Sequence, residues 1–357
     1  MLIEKPRIPI RQVLLFGLLP SFLKIWVYRL RGYRIGRRVS IGFLSVISAQ
    51  QVEVGHDTKI GFLTIIRGKR IKLGAHMHIG SLTFLDTPHL EIGDGTRINE
   101  QVFVGGLQSA DSRLVVGRNC QIMQMSFINP AISITIGDDT GIGGHCLVFG
   151  HNSWLSQFEG YPVDFQPIEI GRSVSVAWRV FVLPGTRIGD GAVVGANSLV
   201  SGTVPPRCLS LGFPARVVAK EPGFPRELSE GDKVQILKNI IKQMVDYFSQ
   251  SGFSCEITGE DVTLRDLRGR RLLRKGKARR MRIVYGDTHQ RDLPASGDGI
   301  SVLLSLGKIP EDERKTLTTA GIMWIEIARK EQSEHSNPLG DEVSLYLRRY
   351  GVRTVRV

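Results

Sequence analysis

At 357 residues, with 42% hydrophobic and 23% charged content, the chain has the composition of a globular protein and a length that favours two domains. That composition excludes a collagenous or disordered chain, and four cysteines with no CxxC pair argue against a disulfide framework or zinc knuckle and fit a reducing compartment. The net charge of +13 is uneven: residues 1–38 carry nine Lys/Arg against one Glu, residues 39–223 fourteen of each sign, and residues 224–357 24 basic against 19 acidic.

The first element, residues 1–32, reads as a helical segment. Its apolar run Val13–Leu19 is broken by Pro20, and Lys24 and Arg29 follow, so it is too short for a spanning helix and has no signal-peptidase site. Phe22, Leu23, Trp26, Val27 and Leu30 alternate with basic residues. Two roles stay open: a cap on the next domain, or an amphipathic helix at an anionic membrane surface. The corresponding location is the cytoplasm, with peripheral contact at the inner face of the cell membrane as the alternative.

Residues 33–222 are dominated by one repeated unit: aliphatic, Gly, two polar or small residues, a small residue, one more, then aliphatic. It begins at Val54-Gly55, Leu73-Gly74, Ile92-Gly93, Val116-Gly117, Ile136-Gly137, Ile170-Gly171 and Ile188-Gly189. The glycine-to-glycine steps are 19, 19, 24, 20, 34 and 18, so the underlying period is near three hexapeptides, with insertions at Gly105–Arg113 and His151–Pro167. An aliphatic residue every sixth position fills a narrow three-sided prism whose corners favour Gly, Asn and Asp, since these tolerate positive φ. Stacked coils bury a continuous column that no single coil can bury alone.

The end of this region carries Pro167–Gly171, Val182–Gly189 and Val193–Val200, then Pro205-Pro206 and Leu211-Gly212-Phe213-Pro214-Ala215-Arg216-Val217. In order and spacing these resemble the last coils of hexapeptide-repeat O-acetyltransferases, similar to the maltose, galactoside and polysaccharide enzymes. The resemblance implies an all-β left-handed parallel β-helix (three-sided solenoid), a homotrimer, acetyl-CoA as donor substrate, a glycan or sugar acceptor and no metal.

It also implies site residues. His151 opens the long insertion where the family places its catalytic base, and an imidazole suits that task near neutral pH. His145 is the fallback. The backbone N–H of Trp178 aligns with the family's oxyanion donor, although the family has a Trp three residues earlier, where Ser175 stands here. Asn129, in Phe127-Ile128-Asn129-Pro130, resembles an acceptor-binding Asn or is simply an Asn-Pro turn; Asn152 is a second acceptor candidate. Gly195, Ala196 and Ser198 would line the pantetheine arm mainly through backbone groups. Arg216 and Lys220 would meet the coenzyme phosphates, while a family Lys near position 202 is here Gly202.

Residues 223–357 read as a smaller α/β domain. Ser229 and Asp232 cap a helix whose Leu237, Ile240, Ile241, Met244, Val245 and Phe248 follow helical spacing. Strand-like Arg282–Tyr285, Ile300–Leu306 and Ile322–Ile327, helix-like Pro310–Ala320 and Leu339–Tyr350, and a final strand Val352–Val357 follow. Arg265–Arg282 holds ten basic residues and one Asp; a solvated hairpin or an anionic partner fits it, and the missing aromatics give no support for specific nucleic-acid binding. The repeats also leave open a non-catalytic trimeric scaffold. A further alternative is a β-helical carbonic anhydrase-like enzyme, for which His145 and His151, with five residues between them, have a superficially suggestive ligand spacing.

Overall fold

The computed structural model describes residues 9–153, 155–266, 279–289, 293 and 299–357; residues 1–8 and most of the Arg-rich run lie outside them. The chain divides into two compact units, Met1–Glu227 and Leu228–Val357.

In the first unit three parallel sheets take the strands in rotation, every third strand joining the same sheet. The first face runs from Arg34–Ile35 through Gln51–Val54 to Thr203–Val204, the second from Ser40–Ile41 to Cys208–Gly212, the third from Val46–Ser48 to Leu199–Val200. Register is maintained residue on residue, as in Ile92 over Leu73 and under Val116. The sixfold aliphatic positions become buried columns: Ile41, Ile60, Ile79, Ile98, Ile122, Ile142, Val176 and Val194 on the second face, and Ile47, Ile66, Leu85, Val104, Ile128, Val148, Val182 and Val200 on the third. Burying such side chains contributes about 1.5–3 kcal/mol each.

The corners correct the expected role of the marker glycines. Positive φ falls two residues later, and on the corner between second and third faces it is adopted by Leu44, Leu63, Leu82, Gln101, Met125, His145, Arg179 and Asn197. Coil closure imposes the left-handed conformation there, and cross-coil bonds such as Leu82 N–H to Phe62 O (2.8 Å) offset its cost. The marker glycine is needed for close approach instead: a Cβ on Gly93 would lie 2.6 Å from the Arg118 nitrogen of the next coil. The small residue that follows staples coils together, as Thr58 Oγ1 donates to Gly74 O (2.8 Å) and Thr96 Oγ1 to Gly117 O (2.8 Å).

The N-terminal segment is Ile10–Gln12, a π turn over Val13–Gly17 and the helix Ser21–Leu30. It closes over the first coil: Ser21 Oγ accepts from Ile41 N–H (2.9 Å), Tyr28 Oη from Ile47 N–H (2.9 Å), and Gly17 O from Leu44 N–H (2.7 Å).

The second unit is a seven-stranded mixed sheet, in sequence order, with helices Glu230–Gln250, Glu311–Thr319 and Pro338–Leu347. Ser229 and Asp232 form a reciprocal capping box on the first helix. The hairpin Phe253–Thr258 and Asp261–Asp266 and the short strand Glu331–Gln332 complete the sheet; their mixed polar pattern does not announce them. Arg314 joins the buried Glu326 and Glu331 (2.8 Å to Glu331), a structural ion-pair network.

Candidate active site

Both long insertions leave the solenoid at one edge, where the third face turns into the first. The earlier loop folds back over the coil, with Ser109 Oγ and Ser112 Oγ donating to Ala131 O (3.2 and 2.7 Å). Gly106, at φ 125°, lies so close to Asn129 that a Cβ would come within 2.5 Å of its amide carbon. The later insertion returns as a two-stranded ribbon in which His151 pairs with Phe165 and Asn152 with Asp164. Gly150 N–H donates to Asn129 O (3.0 Å) and Gln166 N–H to Gly150 O (3.2 Å), tying the ribbon to the coil.

The His151 imidazole therefore has two aromatic neighbours, Phe149 at 6.0 Å between centroids with planes 28° apart and Phe165 at 5.8 Å with planes 18° apart. Burial lowers its pKa, favouring the neutral ring. Its Nδ1 is buried without a hydrogen-bond partner. In the first unit, among the described residues, the other such side-chain atoms are Asn129 Oδ1 and Thr87 Oγ1. Asn129 ends a third-face strand and Thr87 and His151 come just after two others, so all three sit along this same edge. Buried polar atoms are normally satisfied, and leaving one unpaired costs about 1–3 kcal/mol, so three of them along one edge set it apart from the rest of the solenoid. Asn152 beside them is exposed.

Trp178 lies on the opposite edge of the third face, stacked over Gly144, with His145 and its ring 6.1 Å away. Among the described residues its N–H has no hydrogen-bond acceptor. The N–H groups of Ser81, Glu100, Gln124 and Gly144 in the same column are equally open, whereas that of Phe62 is taken by Ser81 Oγ of the following coil (3.1 Å); above Trp178 the equivalent residue is Ala196, whose side chain offers no acceptor. One chain thus places His151 and the Trp178 N–H across the full width of a face, and His145 stands with Trp178 and apart from His151.

The remaining candidates gather at the far end. Ser198 is turned inward, its Oγ donating to Gly195 O (2.7 Å) and accepting from Gly212 N–H (3.1 Å), which leaves only its backbone for a ligand. Gly195 packs against the Leu211 side chain, and Ala196 is exposed. Arg216 and Lys220 are exposed on the strand Ala215–Lys220, which runs antiparallel to Cys208–Gly212. Sequence reasoning missed Gly106, Phe149 and Phe165. A glycine pair opening one insertion and an aromatic closing the other were the only signals available.

A solenoid of stacked three-strand coils is the architecture of hexapeptide-repeat proteins, and the chain is similar to O-acetyltransferases. It is 35% identical over 113 residues to WbbJ of Escherichia coli (strain K12), described as a lipopolysaccharide biosynthesis O-acetyl transferase, covering 29% of this chain and 58% of that protein. It is 30% identical over 141 residues to the galactoside O-acetyltransferase of the same strain, covering 37% and 62%. The match thus spans about three-fifths of the length of these curated relatives. Solved structures that it resembles include the polySia-specific acetyltransferase NeuO (17% identity, TM-score 0.35, 59% of this chain and 93% of that one). The UDP-N-acetylglucosamine acyltransferase of Bacteroides fragilis 9343 is another (19%, TM-score 0.43, 60% and 80%). No family model matches the chain.

Proposed function

We propose that the chain is an acetyl-CoA-dependent O-acetyltransferase acting on a sugar hydroxyl of a glycan or lipid-linked polysaccharide precursor. The observation that carries this reading is the edge on which the unpartnered His151 Nδ1 and Asn129 Oδ1 lie together; the similarity to two O-acetyl transferases supports it.

His151, kept neutral by burial beside Phe149 and Phe165, takes the proton of the acceptor hydroxyl as that oxygen attacks the thioester carbonyl carbon. As the C–O bond forms, the carbonyl electron pair moves onto oxygen, and the open Trp178 N–H donates to it. Collapse breaks the C–S bond, and the coenzyme A thiolate recovers the proton from the imidazolium. Asn129 and Asn152 hold neighbouring sugar hydroxyls. Backbone groups at Gly195, Ala196 and Ser198 follow the pantetheine arm, and Arg216 and Lys220 attract the phosphates.

The site is completed in a homotrimer of left-handed coils, in which the His151 edge of one copy faces the Trp178 edge of its neighbour. Outward residues of the third face support this reading. Phe84, Phe103, Phe127, Leu147, Phe181 and Leu199 form an apolar column, with Phe84–Phe103 and Phe103–Phe127 centroids at 5.0 and 4.9 Å. The first face is by contrast laced with ion pairs such as Arg34–Glu53 and Lys72–Glu91. The test is thiol release from acetyl-CoA with a panel of sugars. Turnover that disappears in His151→Ala is expected; full activity in that variant, or no binding of acetyl-CoA by calorimetry, overturns the reading.

A further inference from the structure

The helix Ser21–Leu30 is turned inside out for a protein surface in water. Its buried side carries Lys24, 1% exposed, whose Nζ donates to Gly42 O (2.6 Å) and Ser45 O (3.1 Å), together with Tyr28. Its outward side carries Phe22, Trp26 and Leu30, one helical turn apart, at 70%, 61% and 68% exposure. Amphipathic helices on soluble domains do the reverse and bury the apolar stripe. The preceding turn extends the same character: Leu14, Leu15 and Leu18 are exposed, each by half or more. The two segments meet at a 115° bend, and neither is long and apolar enough to cross a bilayer by itself.

Cations accompany this apolar surface. Arg11 is exposed on the first segment, Arg31 lies over the Phe16 ring at 4.1 Å, and Arg37 is exposed seven residues beyond the end of the helix. Among the described residues 9–38 there is no acidic side chain against seven basic ones. A second copy of this chain would set these cations against one another. A bilayer with anionic headgroups meets both properties at once, receiving the apolar side chains at the acyl boundary and the arginines at the phosphates.

We infer that the bent pair Ile10–Gly17 and Ser21–Leu30 is a monotopic membrane-docking element, which seats the capped N-terminal end of the solenoid on an anionic lipid surface. The docked residues are exposed in the folded chain, so they can be changed without loss of packing. This inference is independent of the acetyl-transfer reading, since none of these residues lies in the candidate active site.

The experiment is flotation of the full chain with vesicles of phosphatidylcholine alone or with 30% phosphatidylglycerol added, for wild type, Phe22→Ser/Trp26→Ser and Arg11→Gln/Arg37→Gln. Wild type is expected to float with the anionic vesicles. The serine pair should lose roughly tenfold or more in partitioning, and the glutamine pair should weaken binding to anionic vesicles selectively. Circular dichroism and the thermal melt should stay at wild-type level. Absence of wild-type flotation overturns the inference, as does flotation unchanged by the serine pair. A particle mass by light scattering that falls in the serine pair also overturns it, because the face would then be a contact between copies.

Discussion

His151 and Phe165 face each other across the two-stranded ribbon, paired in register with ring centroids 5.8 Å apart and planes 18° from parallel. The relationship joins the two ends of the longest insertion, and together with Phe149, 6.0 Å away, it sets the environment of the imidazole.

Removing that imidazole is the first test of the chemistry. His151→Ala should lower kcat by about 10²–10⁴-fold, the usual contribution of a general base, with KM for acetyl-CoA little changed. In wild type the acid limb of kcat/KM should fall below the ordinary histidine value of about 6.5, because burial lowers the His151 pKa and the active, neutral form survives to lower pH.

Phe165→Ala removes one of the two rings beside the imidazole. Water then stabilises the imidazolium, the pKa rises, and, if His151 is the base, the acid limb moves toward higher pH. A pH profile unchanged from wild type would show that the ring has no influence on the titrating group. Phe165 is 41% exposed, so thermal stability should change little.

Ala196→Ser tests the open donor. Ser81 in the same column caps the Phe62 N–H at 3.1 Å, and a hydroxyl at position 196 would cap Trp178 likewise. If that N–H stabilises the oxyanion, kcat should drop on the order of 10²-fold. The solenoid itself should melt as before or slightly higher.

The corner geometry predicts opposite effects of two small changes. Gly93→Ala sets a Cβ 2.6 Å from the Arg118 nitrogen and should destabilise by about 1–3 kcal/mol. Leu82→Asn places a residue that tolerates left-handed backbone at φ 58° on an exposed corner, and should stabilise by roughly 0.5 kcal/mol. Denaturant melts of both variants decide this.

Lys24 should leave a signature in alkaline unfolding. Burial lowers its pKa to about 8 from 10.5. Between these values the unfolded chain binds more protons than the folded one, so stability contributed by this group rises with pH. The Tm of wild type relative to Lys24→Met should therefore increase from pH 8 to 10.5; a constant difference would contradict the buried cation.

Much of the fold was legible because a solenoid writes its contacts into a short period. Each core residue meets the equivalent residue one coil away, so Ile79, Ile98 and Ile122 announce their column through spacing alone. The second unit was partly legible for the same local reason: helical spacing and the Ser229–Asp232 cap lie within a few turns of chain. The hairpin Phe253–Thr258/Asp261–Asp266 had no such pattern and became visible only as part of the sheet.

What spacing by itself determined, then, is the three-faced coil, its aliphatic columns, and the position of His151 at the start of an insertion. Tertiary structure decided that Asn129, His151 and Thr87 line one edge, that Trp178 keeps a free N–H on the other, and that Lys24 points inward while Trp26 points out. The reason is physical. Period and turn chemistry act between near neighbours along the chain, whereas an unpaired atom or an inverted helix face is defined by which distant groups arrive beside it.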